Sequence, residues 1–209
     1  MYVPAPPAPP ATPLTPIGIV TGNAPLVAPK HTKLKVKRMA LDVLGGQRAS
    51  IAGALAPALS GRTIALQELT RHGWRTLTRT HTGAQGRYRL HYTPARGTGE
   101  LVRVYFPGDA LDTAAHRRVG HLRVYRLAEA SWYGGGGSLA CGGQLTSSTL
   151  GVANKTLPCG TLVNLRYNGR GVRVPVIDRG PFVAGREFDL TEATKAALGF
   201  GDTGEVWVS

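Results

Sequence analysis

Val174-Pro-Val-Ile-Asp178-Arg-Gly-Pro-Phe182, followed by Gly185-Arg-Glu-Phe-Asp189-Leu-Thr191, is the most informative stretch of this 209-residue chain. A β-prone run brings one carboxylate, Asp178, to the point where Arg-Gly-Pro turns the strand. A second carboxylate, Asp189, lies eleven residues on. It stands just ahead of Thr191-Glu-Ala-Thr-Lys-Ala-Ala-Leu198-Gly, which has Thr at an N-cap and Gly past the end of a two-turn helix. An acid at a strand end beside a turn faces a groove, where an enzyme acting on polysaccharide needs it. Taken alone, the same pair also reads as two turn-capping aspartates.

The surrounding segment, residues 129–209, reads as a small β-rich domain. Strands are expected around Thr161–Arg166, Gly171–Ile177 and Glu205–Ser209, and Pro175 inside an apolar strand calls for an edge or a bulge. The glycine run 134–137 has no following Lys-Ser/Thr and opens no helix, so it is not a nucleotide loop. It reads as a mobile loop that lets backbone approach a groove. Only Cys141 and Cys159 occur, both in this half. They read as a disulfide, which persists in an oxidising compartment, or else as two buried thiols. A bridge would close a loop of about 18 residues and add on the order of 3 kcal/mol. Neither they nor the dispersed histidines have metal-ligand spacing, so no metal and no cofactor is expected.

Upstream, residues 32–128 alternate in short strands: Lys33–Lys37, Ser50–Leu55, Thr63–Gln67, Trp74–Thr78, Tyr88–Tyr92, Leu101–Tyr105 and Leu122–Tyr125. Gly, Pro and Asp punctuate them. About seven short strands in such a length is the pattern of an immunoglobulin-like β-sandwich. Trp74 and Tyr88 read as core, and the histidines at 72, 81, 91, 116 and 121 as surface residues. Residues 128–130 leave only a short junction between the two domains. Residues 31–130 carry 17 Lys or Arg against 6 Asp or Glu, net +11, while residues 131–209 carry 7 against 6. The basic half suits a polyanion, or it serves solubility alone. Its cations are spread singly through the strands without a nucleic-acid motif, so nucleic acid is not the expected partner. Residues 1–31 are a Pro-rich linker, with nine prolines and no charge in the first 29, expected to be an extended spacer. They lack the basic start and apolar core of a signal peptide, so an exported protein would have its targeting segment upstream. No apolar run approaches the roughly 18 residues of a transmembrane segment.

Several motifs of the second half resemble the rare lipoprotein A family: Ala130-Ser-Trp-Tyr-Gly134, Gly151-Val-Ala-Asn-Lys-Thr-Leu-Pro-Cys-Gly-Thr161, Val176-Ile-Asp-Arg-Gly-Pro-Phe182, Gly185-Arg-Glu-Phe-Asp-Leu-Thr191 and Ala196-Ala-Leu-Gly199. They run in family order. The family is one of bacterial peptidoglycan lytic transglycosylases built on a six-stranded double-psi β-barrel, related to the barrels of expansins and family-45 endoglucanases. The resemblance implies an all-β chain, sandwich then barrel, with one short helix. It makes Asp178 the groove acid and Asp189 a second acid bracing the turn and helix start. Trp132, Tyr133, Asn154 and Arg179 fall in or beside the substrate groove, and a cysteine-bearing variant of the barrel supports the Cys141–Cys159 bridge. Two departures stand out. Asn154 replaces a histidine of the family, and a glutamate after the first strand has no counterpart in Cys141-Gly-Gly-Gln-Leu-Thr146.

Three functions follow from the resemblance and the charge. The first is a secreted cell-wall protein that binds peptidoglycan glycan strands and cleaves them by transglycosylation, with Asp178 as general acid and base. Such a reaction activates no water, so one carboxyl can do the work of two. A hydrolase instead needs a pair about 5 Å apart for retention or roughly 6.5–9.5 Å for inversion. The second is an expansin-like module that binds or loosens the wall without breaking bonds, favoured by the missing His and Glu. The third is a basic adhesion or protein-interaction module in which the sandwich is the working half. In all three the sandwich has anionic wall polymers as its expected partner.

Overall fold

The computed structural model describes residues 30–94 and 99–209. The Pro-rich expectation falls on residues 1–31, all but the last two of which lie outside that range. Eight strands come first: β1 (Lys33–Ala40), β2 (Asp42–Leu44), β3 (Ala49–Ala56), β4 (Thr63–Thr70), β5 (Gly73–His81), β6 (Arg87–Tyr92), β7 (Leu101–Phe106) and β8 (Ala115–His121). Seven of them make two sheets, β1-β3-β6 and β5-β4-β7-β8, all antiparallel. Their inward residues share one core, including Ile51, Leu55, Ile64, Leu66, Leu90, Val102, Val104 and Phe106. This is the expected sandwich, and strict alternation is what builds it: β3 reads buried at every second residue.

Two details differ from the sequence reading. The seventh sandwich strand is β8, not Leu122–Tyr125. Its sequence, Ala-His-Arg-Arg-Val-Gly-His, shows little alternation because it is an edge strand with one buried residue, Val119. Trp74 is on the solvent face of its sheet, under the guanidinium of Arg103 at 4.1 Å, whereas Tyr88 is in the core.

The remaining elements are β9 (Arg123–Tyr133), β10 (Gly137–Ser138), β11 (Gln144–Leu145), β12 (Val152–Asn154), β13 (Leu162–Tyr167), β14 (Arg170–Asp178), β15 (Phe188–Thr191), α1 (Glu192–Leu198) and β16 (Thr203–Val208). Strands pair in the order β15-β12-β14-β13-β16-β9, and β15 closes back on β9 to complete a six-stranded barrel. Ala128, Ala130, Val152, Leu165, Val174, Val176, Phe188, Leu190 and Val206 fill it. Thr191 accepts from the Thr194 amide and Gly199 adopts φ 64°, so α1 is capped as its sequence foretold.

The expected junction at 128–130 lies inside one strand. β9 pairs with β2 of the sandwich through Arg123–Tyr125 and with β16 of the barrel through Arg126–Ser131. Arg166 of the barrel donates to Asp42 of the sandwich at 2.5 Å, and Tyr125 packs 5.9 Å from Trp207. A shared strand and a cross-domain ion pair thus join the halves. A cavity of about 830 Å³ opens where they meet, lined in part by Arg123, Arg126 and Arg173.

Candidate active site

The position of Asp178 is set by a bulge. Val174 and Val176 point into the barrel, and a period of two would bury residue 178 with them. Instead Val152 pairs with Val176 while the next residue, Ala153, pairs with Asp178, so Ile177 is the extra residue. The bulge turns Asp178 to the outer face. Gly151 makes room for the displaced chain, since a Cβ there would lie 2.3 Å from Ile177 Cδ1. Pro175 fits because β12 begins to pair only at Val176, leaving Pro175 with β13 as its sole neighbour.

Pairing then lays out a row across four strands: Asp178, Ala153, Asp189, Ser131. Asp178 and Asp189 are two strands apart, a backbone separation of about 10 Å. Oδ1 of Asp178 accepts from the backbone amides of Ala140 at 2.9 Å and Arg179 at 2.8 Å. Neither bond uses Oδ2. Asp189 accepts from the Ser131 hydroxyl, on the side away from Asp178. The two carboxylates are therefore held separately, with the small Ala153 between them.

Tyr133, two residues beyond Ser131 and on the same face of β9, completes the site. Its hydroxyl is buried near the Asp178 carboxylate, and among the described residues no acceptor meets it in full hydrogen-bond geometry. Burial, then the charge of Asp178 and the reach of its carboxylate toward the hydroxyl as a hydrogen-bond acceptor, and lastly the charge of Asp189, push its pKa well above the ordinary phenol value. The hydroxyl is thus a retained donor beside Asp178. Buried polar atoms without partners are rare, and a groove is where one has a use.

The other expected residues divide. Asn154 is buried, accepts from the amides of Thr156 (3.0 Å) and Leu157 (2.8 Å), and donates to the Glu187 carbonyl (3.1 Å). Arg179 donates to the carbonyls of Asn154 and Leu157 and to Cys159 Sγ, and makes no ion pair with Asp178. Both brace the 154–159 loop. Cys141 and Cys159 are bridged, with Cα atoms 5.6 Å apart. The bridge fixes the segment whose Ala140 amide holds Asp178. Trp132 is on the opposite face of β9, donating to Asp202 and covered by Lys195 at 3.7 Å. It is not brought to the carboxylates.

One further residue, an apolar neighbour of the acid in sequence, stands at the rim. Phe182, 83% exposed, is the most exposed large apolar side chain among the described residues. Its ring and the Ala153 methyl both lie 3.8 Å from the place a Gly180 Cβ would occupy. An aromatic immediately after the acid's turn, with nothing to pack on, was the available signal. No group of residues suited to a metal occurs among those described.

The family described as "Lytic transglycolase" matches residues 127–209. A probable endolytic peptidoglycan transglycosylase RlpA of Aquifex aeolicus is 44% identical over 80 residues, 36% of this chain and 35% of that one. The endolytic peptidoglycan transglycosylase RlpA of Pseudomonas aeruginosa is 37% identical over 109 residues, 50% of this chain and 29% of that one. The barrel belongs to the RlpA-like double-psi family. The chain spans only 35%, 25% and 29% of the first curated relatives it matches. A Streptomyces papain inhibitor is 28% identical over 40% of this chain and 91% of its own, with a TM-score of 0.34. Within the RlpA-like barrel, Asp178, Tyr133 and Asp189 lie on one outer face of neighbouring strands, while Asn154 and Arg179 hold the loop beside it. No helix among the described residues is long and apolar enough to cross a membrane.

Proposed function

We propose that the RlpA-like barrel cleaves peptidoglycan glycan strands as a lytic transglycosylase, in a protein secreted to the cell wall. The observation that carries this reading is Asp178, turned outward by the Ile177 bulge beside a buried tyrosine hydroxyl that no acceptor meets in full hydrogen-bond geometry. Two backbone amides fix one carboxyl oxygen, which leaves the other to meet the glycosidic oxygen. In the reaction, the carboxyl gives its proton to the departing sugar oxygen as the bond to the anomeric carbon breaks. The muramic acid 6-hydroxyl attacks that carbon, and the same carboxylate takes its proton. The acid is regenerated, no water is consumed, and the product is a 1,6-anhydro sugar.

Tyr133 donates a hydrogen bond to the substrate near the reacting oxygens, and Phe182 offers a ring face to a sugar. Asp189, tied to Ser131, orders the groove floor. Asn154 and Arg179 act through the loop they hold. The basic sandwich docks the enzyme on anionic wall polymers. One observation favours the non-catalytic wall-binding reading: Asn154, where the family has histidine, is buried with its amide engaged by backbone. Incubating the whole chain with purified sacculi separates the two. Release of 1,6-anhydro-muropeptides, abolished in Asp178→Asn, is the expected result. Sedimentation on sacculi with no such product would leave the binding module.

A further inference from the structure

The three strands of the β1-β3-β6 sheet contain no Asp or Glu. Their outward residues are ordered. The middle strand presents Ser50, Ala52, Ala54 and Ala56, all small. On one side stand Lys33, Lys35 and Arg38, on the other Arg87 and Arg89, all exposed. The pairing sets them face to face, Lys35·Ala54·Arg87 and then Arg38·Ala52·Arg89. This is a trough with an alanine floor and cationic walls. With strands about 4.8 Å apart its walls are roughly 10 Å apart, and cations two residues apart along a wall recur about every 6.7 Å.

None of these five cations has a carboxylate partner among the described residues. Elsewhere the sandwich pairs some of its charges: Arg62 with Asp109 and Asp112, Arg75 with Glu68, and Arg123 with Asp42. Arg79 and Arg118 on the other sheet are also without a carboxylate among the described residues, but have no facing row of cations across a small-residue floor. We propose that the trough binds a linear phosphodiester polymer with small, flexible linkers between phosphates, a polyol phosphate. This rests on the reading of the sandwich as a polyanion-binding half and gives it a place and a ligand. A phosphodiester directs its two free oxygens to opposite sides of its chain, so each can meet one wall. A carboxylate points both oxygens the same way. Single-stranded nucleic acid is the poorer fit, because it is gripped by stacking of successive bases on aromatics and the trough offers a single ring, His91 beside Ser50 at one end. Tyr88 is turned into the core and Tyr92 packs against it. Residues 1–29 of the chain carry no charge and offer the walls no complement.

The test uses the full chain and poly(glycerol phosphate), with affinity measured against salt. Lys35→Gln with Arg87→Gln is compared with Arg79→Gln and Arg118→Gln on the outer face of the other sheet, an equal loss of charge. The trough pair is expected to weaken binding about 10-fold or more and to flatten the salt dependence, and the control pair by less than about 2-fold. Ala54→Glu, at the floor, is expected to weaken it at least as much. Equal weakening by both pairs would overturn the trough while leaving a diffusely basic sandwich. Tighter binding of single-stranded DNA or polygalacturonate, with the same sensitivity to the trough pair, would overturn the assigned ligand. No binding of any of these polyanions at low salt would overturn the polyanion reading itself. None of these outcomes bears on anhydro-product formation by the barrel.

Discussion

The barrel and the sandwich differ in which polar groups they leave unsatisfied. In the barrel nearly every buried polar side chain is spoken for: Thr191 and Thr194 close on the backbone of Gly151, Ser131 on Asp189, Asn154 on three backbone groups. Among the described residues, buried side-chain atoms without a partner belong to Asp42, Asp112 and Tyr133. The two aspartates use their other oxygen in an ion pair, which leaves the Tyr133 hydroxyl as the single polar atom of its side chain with none. In the sandwich the carboxylates Glu68, Asp109 and Asp112 are consumed by arginines of the same domain, and what remains is surplus positive charge on the outer faces. One half keeps a neutral donor beside a carboxylate, suited to bond chemistry. The other keeps unpaired cations, suited to salt-sensitive adhesion.

That contrast can be broken from either side. The largest effect is expected for Asp178→Asn, which should lower anhydro-muropeptide release by about 100-fold or more and leave sedimentation on sacculi intact. Changing both Cys141 and Cys159 to Ser should cost on the order of 3 kcal/mol in thermal or denaturant unfolding and also lower activity, since the Ala140 amide is then loosely held. Gly151→Ala should cost about 1–3 kcal/mol, because the new methyl meets Ile177, and should disturb the bulge that aims Asp178.

Tyr133→Phe sharpens the comparison best, since its two effects have opposite signs. Removing an unpartnered buried hydroxyl should leave stability unchanged or raise it by up to about 1 kcal/mol, while turnover falls about 10-fold. If stability falls instead, the hydroxyl has a structural partner and is not held for substrate. The smallest effect is alkaline. Tyr88 is pushed up to about 12 by burial, and Tyr133 higher still, so the folded chain keeps protons that the unfolded chain releases. Stability should therefore be undiminished below about pH 10 and decline as pH rises from there toward 12, measured by equilibrium unfolding.

What was legible in the sequence was local or strongly patterned. Thr191 and Gly199 bound the helix because caps act within one turn, and β3 alternates because each of its faces has one environment. The acid at the strand end was visible through its turn. The bulge that aims it was not, since Ile177 is an extra residue only relative to β12. β8 was hidden by its polar edge. Trp74 reads as core because aromatics usually are, yet the strand's period and the stacking of Arg103 put it outside. Trp132 and Tyr133 are neighbours in sequence and on opposite faces of one strand, so grouping them in one groove ran against the period of two. The shared strand β9 was invisible for a different reason. The composition changes at Ser131, but a strand needs partners, and β9 finds them in both halves.

The most direct test of the central claim is digestion of purified sacculi in water enriched in oxygen-18, with products read by mass spectrometry. Transfer to the muramic acid 6-hydroxyl predicts 1,6-anhydro ends that carry no heavy oxygen, lost in Asp178→Asn. Reducing ends that have incorporated oxygen-18 would show that water is the nucleophile, and would contradict a single outward aspartate working without a partner carboxylate.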